Sequence, residues 1–421
     1  MKKTTSIFGI TSLLVVQLNA SNTQDITILD NNSPEFLLGK QTHINMKFVP
    51  SDAPDMWFKA GIRVQGTFES LNTTKYDADG KTISDTTIED AYLRRVRLEV
   101  AAGFGKHTSF TMDLRNDKSN KGIENDEGGF NVGDAYVKIK KPFDNSLVNF
   151  KLYRAKIDVS RTETVKSARV IVYDRPYVAD AAAQYISFNR RASNVQMYGD
   201  YKKKVFYQIA TGSASSPDKI IDATGSKASS DGATLTEQSF FYGGKIILSP
   251  FDGWEETKRT ETYFAQGKHL SVGVSYWVVP KLKGTTAGGA NFDLTRKLLN
   301  MEASAHYKGF FIQGEYFKFD DMVKDWTATT EVTTGTSTGW YVTSEYVMPE
   351  LNYIAPFVRY ESWDRFDDEK GYNITSTLAG VNWYLRGNTT KVGFVYQKDE
   401  YGRNTGNKDV TSMRITSQWF F

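Results

Sequence analysis

The 421-residue chain carries 52 Lys and Arg residues against 49 Asp and Glu residues, and its formal net charge of +3 gives no reason to expect a nucleic-acid partner. It contains no cysteine, which excludes a disulfide framework and a zinc–thiolate site. Charge preference, if the protein has one, must therefore come from where individual side chains lie rather than from their total.

The N-terminus has the pattern of a cleavable export signal. Lys2 and Lys3 precede a short apolar run over 7–16, and Leu18-Asn19-Ala20 offers a cleavage site. We therefore expect residues 1–20 to be a signal peptide. No later apolar run is long enough for a transmembrane helix. The exported chain is then a soluble secreted protein or a β-barrel, because only helices and closed barrels satisfy the backbone in lipid.

After a predicted periplasmic lead segment over 21–56, apolar and polar residues alternate along the rest of the chain. Segments of roughly ten residues with this period predict half-exposed transmembrane β-strands. The sixteen predicted strands cover 57–69, 88–102, 106–116, 130–141, 147–157, 193–200, 204–213, 237–249, 268–279, 293–306, 309–319, 338–348, 353–364, 375–386, 389–400 and 408–421. Their apolar faces and the abundant aromatic residues suit lipid contact and interfacial girdles.

The connections between these strands alternate between short and long, as in outer-membrane barrels with short periplasmic turns and long extracellular loops. The pattern predicts an all-β fold over 57–421, namely a 16-stranded antiparallel transmembrane β-barrel with long extracellular loops in the cell outer membrane. A soluble all-β sandwich is the alternative. One connection, 250–267, falls at a periplasmic position and yet is long and rich in Glu, Lys and Arg.

Strand parity assigns a basic lumen wall to the first five strands, because successive residues point to opposite faces. Glu69, Glu99, Asp113 and Asp134 are the acidic residues of this wall, which also receives Tyr153. In the later strands basic and acidic residues balance. The alternative is that lumen charges serve solubility and cross-lumen pairing only. The predicted basic wall residues are Arg63, Arg95, Arg97, Arg115, Lys138, Lys140 and Lys151, together with Lys59.

The third long connection, 158–192, is predicted to fold into the lumen as an inserted third loop. Its apolar stretch 170–173 and its alanine run 181–183 would pack on the barrel wall. Lysines and arginines at such a constriction select anions. The alternative is a solvated surface loop. The candidate constriction residues are Arg161, Lys166, Arg169, Arg175, Arg190 and Arg191.

Four segments resemble the phosphate-selective porin O/P family of Gram-negative outer membranes, in an order that spans almost the whole mature chain. They are Gly61-Ile62-Arg63-Val64-Gln65, Arg94-Arg95-Val96-Arg97-Leu98, Asp134-Ala135-Tyr136 and Gly380-Val381-Asn382-Trp383-Tyr384. The resemblance implies a 16-stranded barrel, usually trimeric, with an arginine-lined constriction that conducts anions.

The expected function is passive diffusion of small anions such as phosphate through a water-filled porin channel. We expect outer-membrane lipid and a homotrimer as partners, and no cofactor. Three alternatives remain open, namely a general or cation-preferring porin, a plugged barrel acting as an adhesin or structural protein, and an outer-membrane enzyme. An enzyme is not expected, because the four histidines, His43, His107, His269 and His306, are poorly placed for nucleophile activation.

Overall fold

The computed structural model describes residues 55–119, 121, 129–187, 190–214, 233–251 and 259–420. The predicted signal peptide, the lead segment up to residue 54 and the terminal Phe421 lie outside the described residues.

Long β-strands make up most of the described chain, and each pairs antiparallel with its neighbours. The strands are β1 (Trp57–Tyr76), β2 (Thr82–Phe104), β3 (Thr108–Ser119), β4 (Asn131–Ile139), β5 (Asn149–Arg154), β6 (Ser193–Tyr201), β7 (Val205–Gly212), β8 (Thr234–Gln238), β9 (Phe241–Leu248), β10 (Lys268–Thr285), β11 (Asn291–Tyr307), β12 (Phe310–Val323), β13 (Thr334–Tyr346), β14 (Ile354–Asp364), β15 (Asn373–Asn388), β16 (Thr390–Tyr401) and β17 (Lys408–Phe420). Short 3₁₀ turns cover Pro349–Leu351 and Arg403–Thr405.

The sheet closes on itself, because β1 pairs with both β2 and β17. Segments β8 and β9 lie end to end along β10 and together count as one of the sixteen strands of the barrel. The predicted 16-stranded antiparallel barrel is confirmed. Its two ends differ, and we call them the short-turn end and the long-loop end.

Side chains of the last strand show how the alternating sequence builds the wall. Met413, Ile415 and Trp419 are about half exposed on the outer face. Arg414 and Gln418 alternate with them and are buried inside the barrel. The parity predicted for this strand is thus confirmed over its described residues, and the outer face is the surface offered to lipid.

Several strands run farther toward the long-loop end than the alternation predicts. The predicted loop 70–87 is mostly strand, since β1 continues to Tyr76 and β2 begins at Thr82. The consecutive residues Thr86, Thr87 and Ile88 are all exposed there. A hairpin that extends beyond the bilayer has water on both faces, so it needs no apolar–polar alternation.

Two local irregularities interrupt the regular strands. At Tyr153 a positive φ of 78° breaks the strand geometry, and the residue is 62% exposed. In β2, Gln65 pairs with Arg95 while Gly66 pairs with Leu93, so Arg94 is the extra residue of a β-bulge. Both Arg94 and Arg95 therefore contact groups inside the barrel.

The connection from β5 to β6 holds two helices, α1 (Arg161–Thr164) and α2 (Tyr177–Ile186). Neither these nor any other helix in the described ranges is long and apolar enough to cross a membrane. Val178, Ala182 and Ile186 on α2 are fully buried. The helix therefore packs inside the barrel rather than standing out from it.

Candidate functional site

The third loop, here Ala155 to Ala192, crosses the lumen from one side to the other. On one side, Gln65 Nε2 in β1 and Gln418 Nε2 in β17 donate to the carbonyl oxygens of Ser167 and Ala168, at 3.2 and 3.0 Å. On the opposite side, Ser275 Oγ in β10 donates to Val159 O at 3.2 Å. The insertion of the loop into the barrel, predicted from its apolar stretch, is confirmed.

Two carboxylates on the opposite wall hold the beginnings of the loop helices. Glu315 in β12 accepts hydrogen bonds from Ser160 Oγ, Arg161 N and Thr162 N, each at 3.0 Å. Glu361 in β14 accepts one from Val178 N at 2.7 Å. Helix N-termini present free N–H groups, so the carboxylates and these donors satisfy each other's hydrogen bonds.

Other charged groups of this wall are also bound internally. Lys245 Nζ in β9 contacts Glu302 at 2.5 Å and Asp158, at the start of the loop, at 2.9 Å. Glu345 in β13 accepts from Tyr384 Oη at 2.6 Å. Several charged residues of the later strands are therefore bound to the inserted loop or to one another, and they are buried. We call β9–β15 the far wall.

Apolar packing fills the space between the loop and the far wall. The shared feature of this cluster is complete or nearly complete burial of residues from α2, from the start of the loop and from eight strands. Its members include Val178, Ala179, Ala182, Ala183 and Ile186 of the loop, and Trp277, Leu298, Phe317, Phe319 and Trp363 of the wall. Among the described residues, such packing fills this side of the lumen.

An open cavity of about 670 Å³ remains between the loop and strands β1–β4, which we call the near wall. Thirteen basic and seven acidic residues line it among the described residues. The basic residues are Arg63, Arg94, Arg95, Arg97, Arg115, Lys118, Lys121, Lys156, Lys166, Arg175, Arg190, Arg191 and Arg414. The acidic ones are Glu69, Glu99, Asp113, Asp117, Asp134, Asp174 and Asp180. The cavity is thus basic on balance.

Four of the six loop residues predicted for the constriction line this cavity. Lys166 is the most accessible, with a 46% exposed side chain 3.2 Å from Glu99. Arg191 contacts Asp134 at 2.8 Å and Arg175 contacts Glu163 at 3.2 Å, while Arg190 pairs with Asp180.

Arg161 and Arg169 lie elsewhere, away from the cavity lining. Arg161 is buried against the far wall, where its Nε donates to Gln313 Oε1 at 3.3 Å and its Nη2 to Thr260 O at 2.8 Å. Arg169 is 4% exposed, and its carbonyl accepts from Glu261 N at 3.0 Å. Both positions are covered by residues of the connection between β9 and β10. Of the six loop cations predicted to face the pore, four line the cavity, and Arg161 and Arg169 do not.

The predicted basic residues of the wall lie at two different heights along the barrel axis. Arg63, Arg95, Arg97 and Arg115 line the cavity. Lys138, Lys140 and Lys151 lie closer to the short-turn end and outside its lining. Lys138 and Lys151 place their ammonium groups 5.8 and 5.4 Å from the centre of the Tyr136 ring. These lysines border the approach to the cavity rather than its narrow part.

Most cavity arginines share an acidic partner, and Arg115 differs from them. Arg63 contacts Glu99 at 2.9 Å, and Arg97 contacts Asp117 at 2.9 Å. Among the described residues Arg115 makes no ion pair within 4 Å, and the charged groups near it are Arg97, Arg191, Asp113 and Asp117. Arg115 is therefore a near-wall cation that no carboxylate contacts directly.

Asp174 is a site residue that strand and loop patterns did not reveal. Its carboxylate bridges Arg94 at 2.5 Å and Arg414 at 2.6 Å. Burial alone would raise the pKa of Asp174, but Arg94 and Arg414 hold it well below its usual value. The Arg94-Arg95 doublet, two charges in sequence within an alternating strand, was the available signal for the bulge that turns Arg94 inward.

Glu163 gathers the basic residues of the loop around one buried carboxylate. Its oxygens lie 2.6 Å from Lys156 Nζ, 3.2 Å from Arg175 Nε and 3.6 Å from Arg190 Nη1. Burial opposes ionisation, yet Arg175, Lys156 and Arg190 hold the pKa of Glu163 below its usual value. Glu163 thus holds these three basic side chains of the loop in fixed positions.

No group of three or more potential metal-ligating side chains comes together within the described residues. The chemistry that this cavity offers is electrostatic. Guanidinium and ammonium groups can replace part of the hydration of an anion, and their summed charge repels cations.

Comparison with known proteins gives one family match and several similar folds. The model of the family described as phosphate-selective porin O and P matches residues 58–421. A protein of Aquifex aeolicus (strain VF5), named only as an uncharacterized protein, is 24% identical over 445 residues that cover 97% of both chains.

Two solved structures share the fold at low sequence identity. The anion-selective porin from Comamonas acidovorans has a TM-score of 0.56 and 12% identity, covering 87% of this chain and 100% of that one. The outer membrane channel DcaP of Acinetobacter baumannii has a TM-score of 0.58 and 11% identity, covering 89% and 99%. At such identities the likeness shows the architecture of the barrel.

Proposed function

Since the chain belongs to the phosphate-selective porin O and P family and forms an outer-membrane channel, we propose that it conducts small anions in preference to cations by passive diffusion. The observation that carries this proposal is the one-sided lining of the cavity. Thirteen basic and seven acidic residues line it, while Glu315 and Glu361 of the far wall are bound to the inserted loop.

The arrangement suits transient rather than tight binding of an anion. Arg63 already contacts Glu99 and Arg97 already contacts Asp117, which weakens the binding of a passing anion to either arginine. Arg115 and Lys166 are the more available cations, and they lie in the same cavity. Conduction requires that a site attract an ion and still release it, and several moderate sites in sequence meet both conditions.

Phosphate-like oxyanions are the finer part of the proposal. Arginine presents a planar fork of N–H donors that matches two oxygens of a phosphate or carboxylate group. Nine of the thirteen basic residues of the cavity are arginines. The similar fold of a porin described as anion-selective supports the anion preference, and nothing in that description extends to phosphate.

A homotrimer in outer-membrane lipid stays a prediction, as does the absence of enzymatic activity. The outer face offers apolar side chains such as Ile62, Phe68 and Ile415, which suit contact with lipid or with another protomer. A native mass measurement of the detergent-solubilised barrel tests the oligomeric state independently of conduction.

The reversal potential of single channels in a KCl gradient tests the proposed function. We expect chloride to carry more current than potassium, and added inorganic phosphate to reduce the chloride current by occupying the arginines. A larger potassium current would instead show a cation-preferring porin, and chloride current unchanged by phosphate would remove the oxyanion part. A barrel without measurable conductance would support a plugged, structural or adhesive role.

A further inference from the structure

The connection between β9 and β10 enters the lumen instead of forming a short turn. It lies at the short-turn end, where outer-membrane barrels ordinarily have tight turns. Residues 259–264, which we call the inner segment, are all at most 9% exposed. Chain that could remain in water is therefore buried inside the barrel, beneath the third loop.

Glu261 joins the inner segment to the third loop and to the wall. Its Oε1 accepts hydrogen bonds from Thr162 Oγ1 at 2.6 Å and from Gln313 Nε2 at 3.0 Å. Its Oε2 accepts one from Ile171 N at 2.8 Å. One carboxylate thus connects α1, the apolar stretch of the loop and strand β12. Its own N–H donates to Arg169 O at 3.0 Å.

A second charged residue of the inner segment is bound to the start of the loop. Arg259 Nη1 contacts Asp158 Oδ1 at 3.0 Å and also donates to Thr164 Oγ1. Asp158 in turn contacts Lys245 of the barrel wall. The pKa of Asp158 lies below its usual value despite burial, because Arg259 and Lys245 favour its ionised form.

Aromatic residues complete the attachment to the far wall. Tyr263 stacks on His269 and His306, with ring centres 5.1 and 4.7 Å apart, and joins Ile171 and Val172 of the loop in one apolar cluster. Phe264 meets Tyr384 edge-on at 5.0 Å. The inner segment and the third loop are therefore packed as one body on the far wall.

We propose that the inner segment is a brace for the third loop, and that Glu261 is the positioning residue that sets the constriction and its anion preference. The inference rests on the proposed anion channel. With Glu261 in place, the loop covers Glu302, Glu315 and Glu345 and confines ions to the near wall. Without it, the loop can leave the far wall, which opens a second aqueous route bordered by carboxylates.

Planar-bilayer recordings of Glu261→Ala in the full barrel test this inference. Opening a route past carboxylates admits more ions and favours cations, so we expect conductance to rise about twofold and the chloride-to-potassium permeability ratio to fall toward unity. Glu261→Gln keeps one acceptor oxygen for Thr162 and Gln313, and we expect it to restore much of the native ratio. Asp144→Ala removes an exposed carboxylate at the same end, paired with Lys106, and serves as the matched control.

A second variant approaches the contact from the loop side. Thr162→Val removes the hydroxyl that donates to Glu261 and leaves the carboxylate in place. We expect it to shift conductance in the same direction, and the double variant Thr162→Val/Glu261→Ala to show less than the sum of the two effects. Heat-modifiable gel mobility tests whether each barrel is folded. We expect the variants to fold, because no strand of the barrel includes the inner segment.

The outcomes separate the brace from the channel itself. An anion-selective native protein whose selectivity and conductance survive Glu261→Ala in a folded barrel would overturn the brace and leave the proposed function intact. Equal effects of Asp144→Ala and Glu261→Ala would also overturn it. A native protein that prefers cations would contradict the proposed function, whatever the variants show.

Discussion

The near and far walls of the barrel carry charged residues on the same kind of alternating strand, yet only the near wall offers them to the cavity. Arg97 and Arg115 of the near wall line open space. Glu315 and Glu361 of the far wall are bound to backbone N–H groups of the inserted loop. The sign of the charge that the lumen presents to a solute therefore depends on which wall the loop covers. The sum of the wall charges does not predict it.

The docking of the loop on the far wall also explains why the later strands hold acidic residues in a channel with a basic cavity. A loop that crosses a lumen must satisfy its own helix ends and cationic side chains, and buried donors without acceptors are costly. Carboxylates at fixed strand positions supply those acceptors. The far wall thus positions the loop, and the near wall with the exposed side of the loop meets the solute.

Reversing charge on the open side is expected to have the largest effect. Arg115→Glu combined with Lys166→Glu changes the charge beside the cavity by four units. Each unit at about 10 Å, with an effective dielectric constant of about 20 and partial salt screening, is worth somewhat under about 1 kcal/mol. We expect the chloride-to-potassium permeability ratio to fall by about tenfold or more, measured from reversal potentials in a KCl gradient.

The control for that variant reverses two cations at the rim of the long-loop end. Lys324 and Lys398 contact Glu369 and Glu400 there, and neither lines the cavity. We expect Lys324→Glu/Lys398→Glu to leave the permeability ratio nearly unchanged. A similar shift in both double variants would mean that overall charge, and not the open wall, determines selectivity.

Removing an anchor on the covered side is expected to have a smaller and different effect. Glu315→Ala leaves the donors of Ser160, Arg161 and Thr162 buried without an acceptor, which costs the docked loop about 3 kcal/mol. We expect noisier single-channel currents and a modest loss of selectivity, because the loop then leaves the far wall part of the time. Quiet, native-like currents would show that the far wall does not hold the loop.

Glu350→Ala provides the control, since this carboxylate is exposed in the 3₁₀ turn between β13 and β14. We expect currents from that variant to match those of the native channel.

Loss of the Glu163 charge is expected to have the smallest effect. The pKa of Glu163 lies below its usual value of 4.5, so its stabilisation of the loop is present above that value and is lost only as the pH falls through the depressed value. Glu163 is therefore expected to stay ionised between pH 8 and pH 5. Glu163→Gln, which mimics its protonation, is expected to raise the current noise already at neutral pH. Current noise in this variant equal to that of the native channel would contradict this assignment.

Alternation alone was sufficient to predict the barrel and most lumen-facing residues, because lipid and water on opposite faces impose a period of two. Arg63, Arg97 and Arg414 face inward as the pattern predicts. The prediction fails where the backbone departs from a regular strand, at the bulge of Arg94. It also fails beyond the bilayer, where the β1–β2 hairpin needs no alternation.

The interior arrangement was beyond local patterns, because it depends on contacts between distant parts of the chain. Arg161 meets Gln313 and Thr260 across about a hundred residues or more, and no sequence period connects them. The charged connection 250–267 stood out as too long for its position, and its Tyr263-Phe264 pair was the signal for burial. That signal predicts an apolar contact but not the third loop as its partner.

The most direct test of a pore along the near wall is to remove the charge of one arginine on each wall. Arg115→Gln changes a cation that lines the cavity, and Arg296→Gln changes one that is buried on β11 against the Tyr185 ring of α2. In a KCl gradient, we expect a clear loss of chloride preference for Arg115→Gln and a nearly native reversal potential for Arg296→Gln. Equal shifts in the two variants, or the larger shift for Arg296→Gln, would contradict a pore that runs along the near wall.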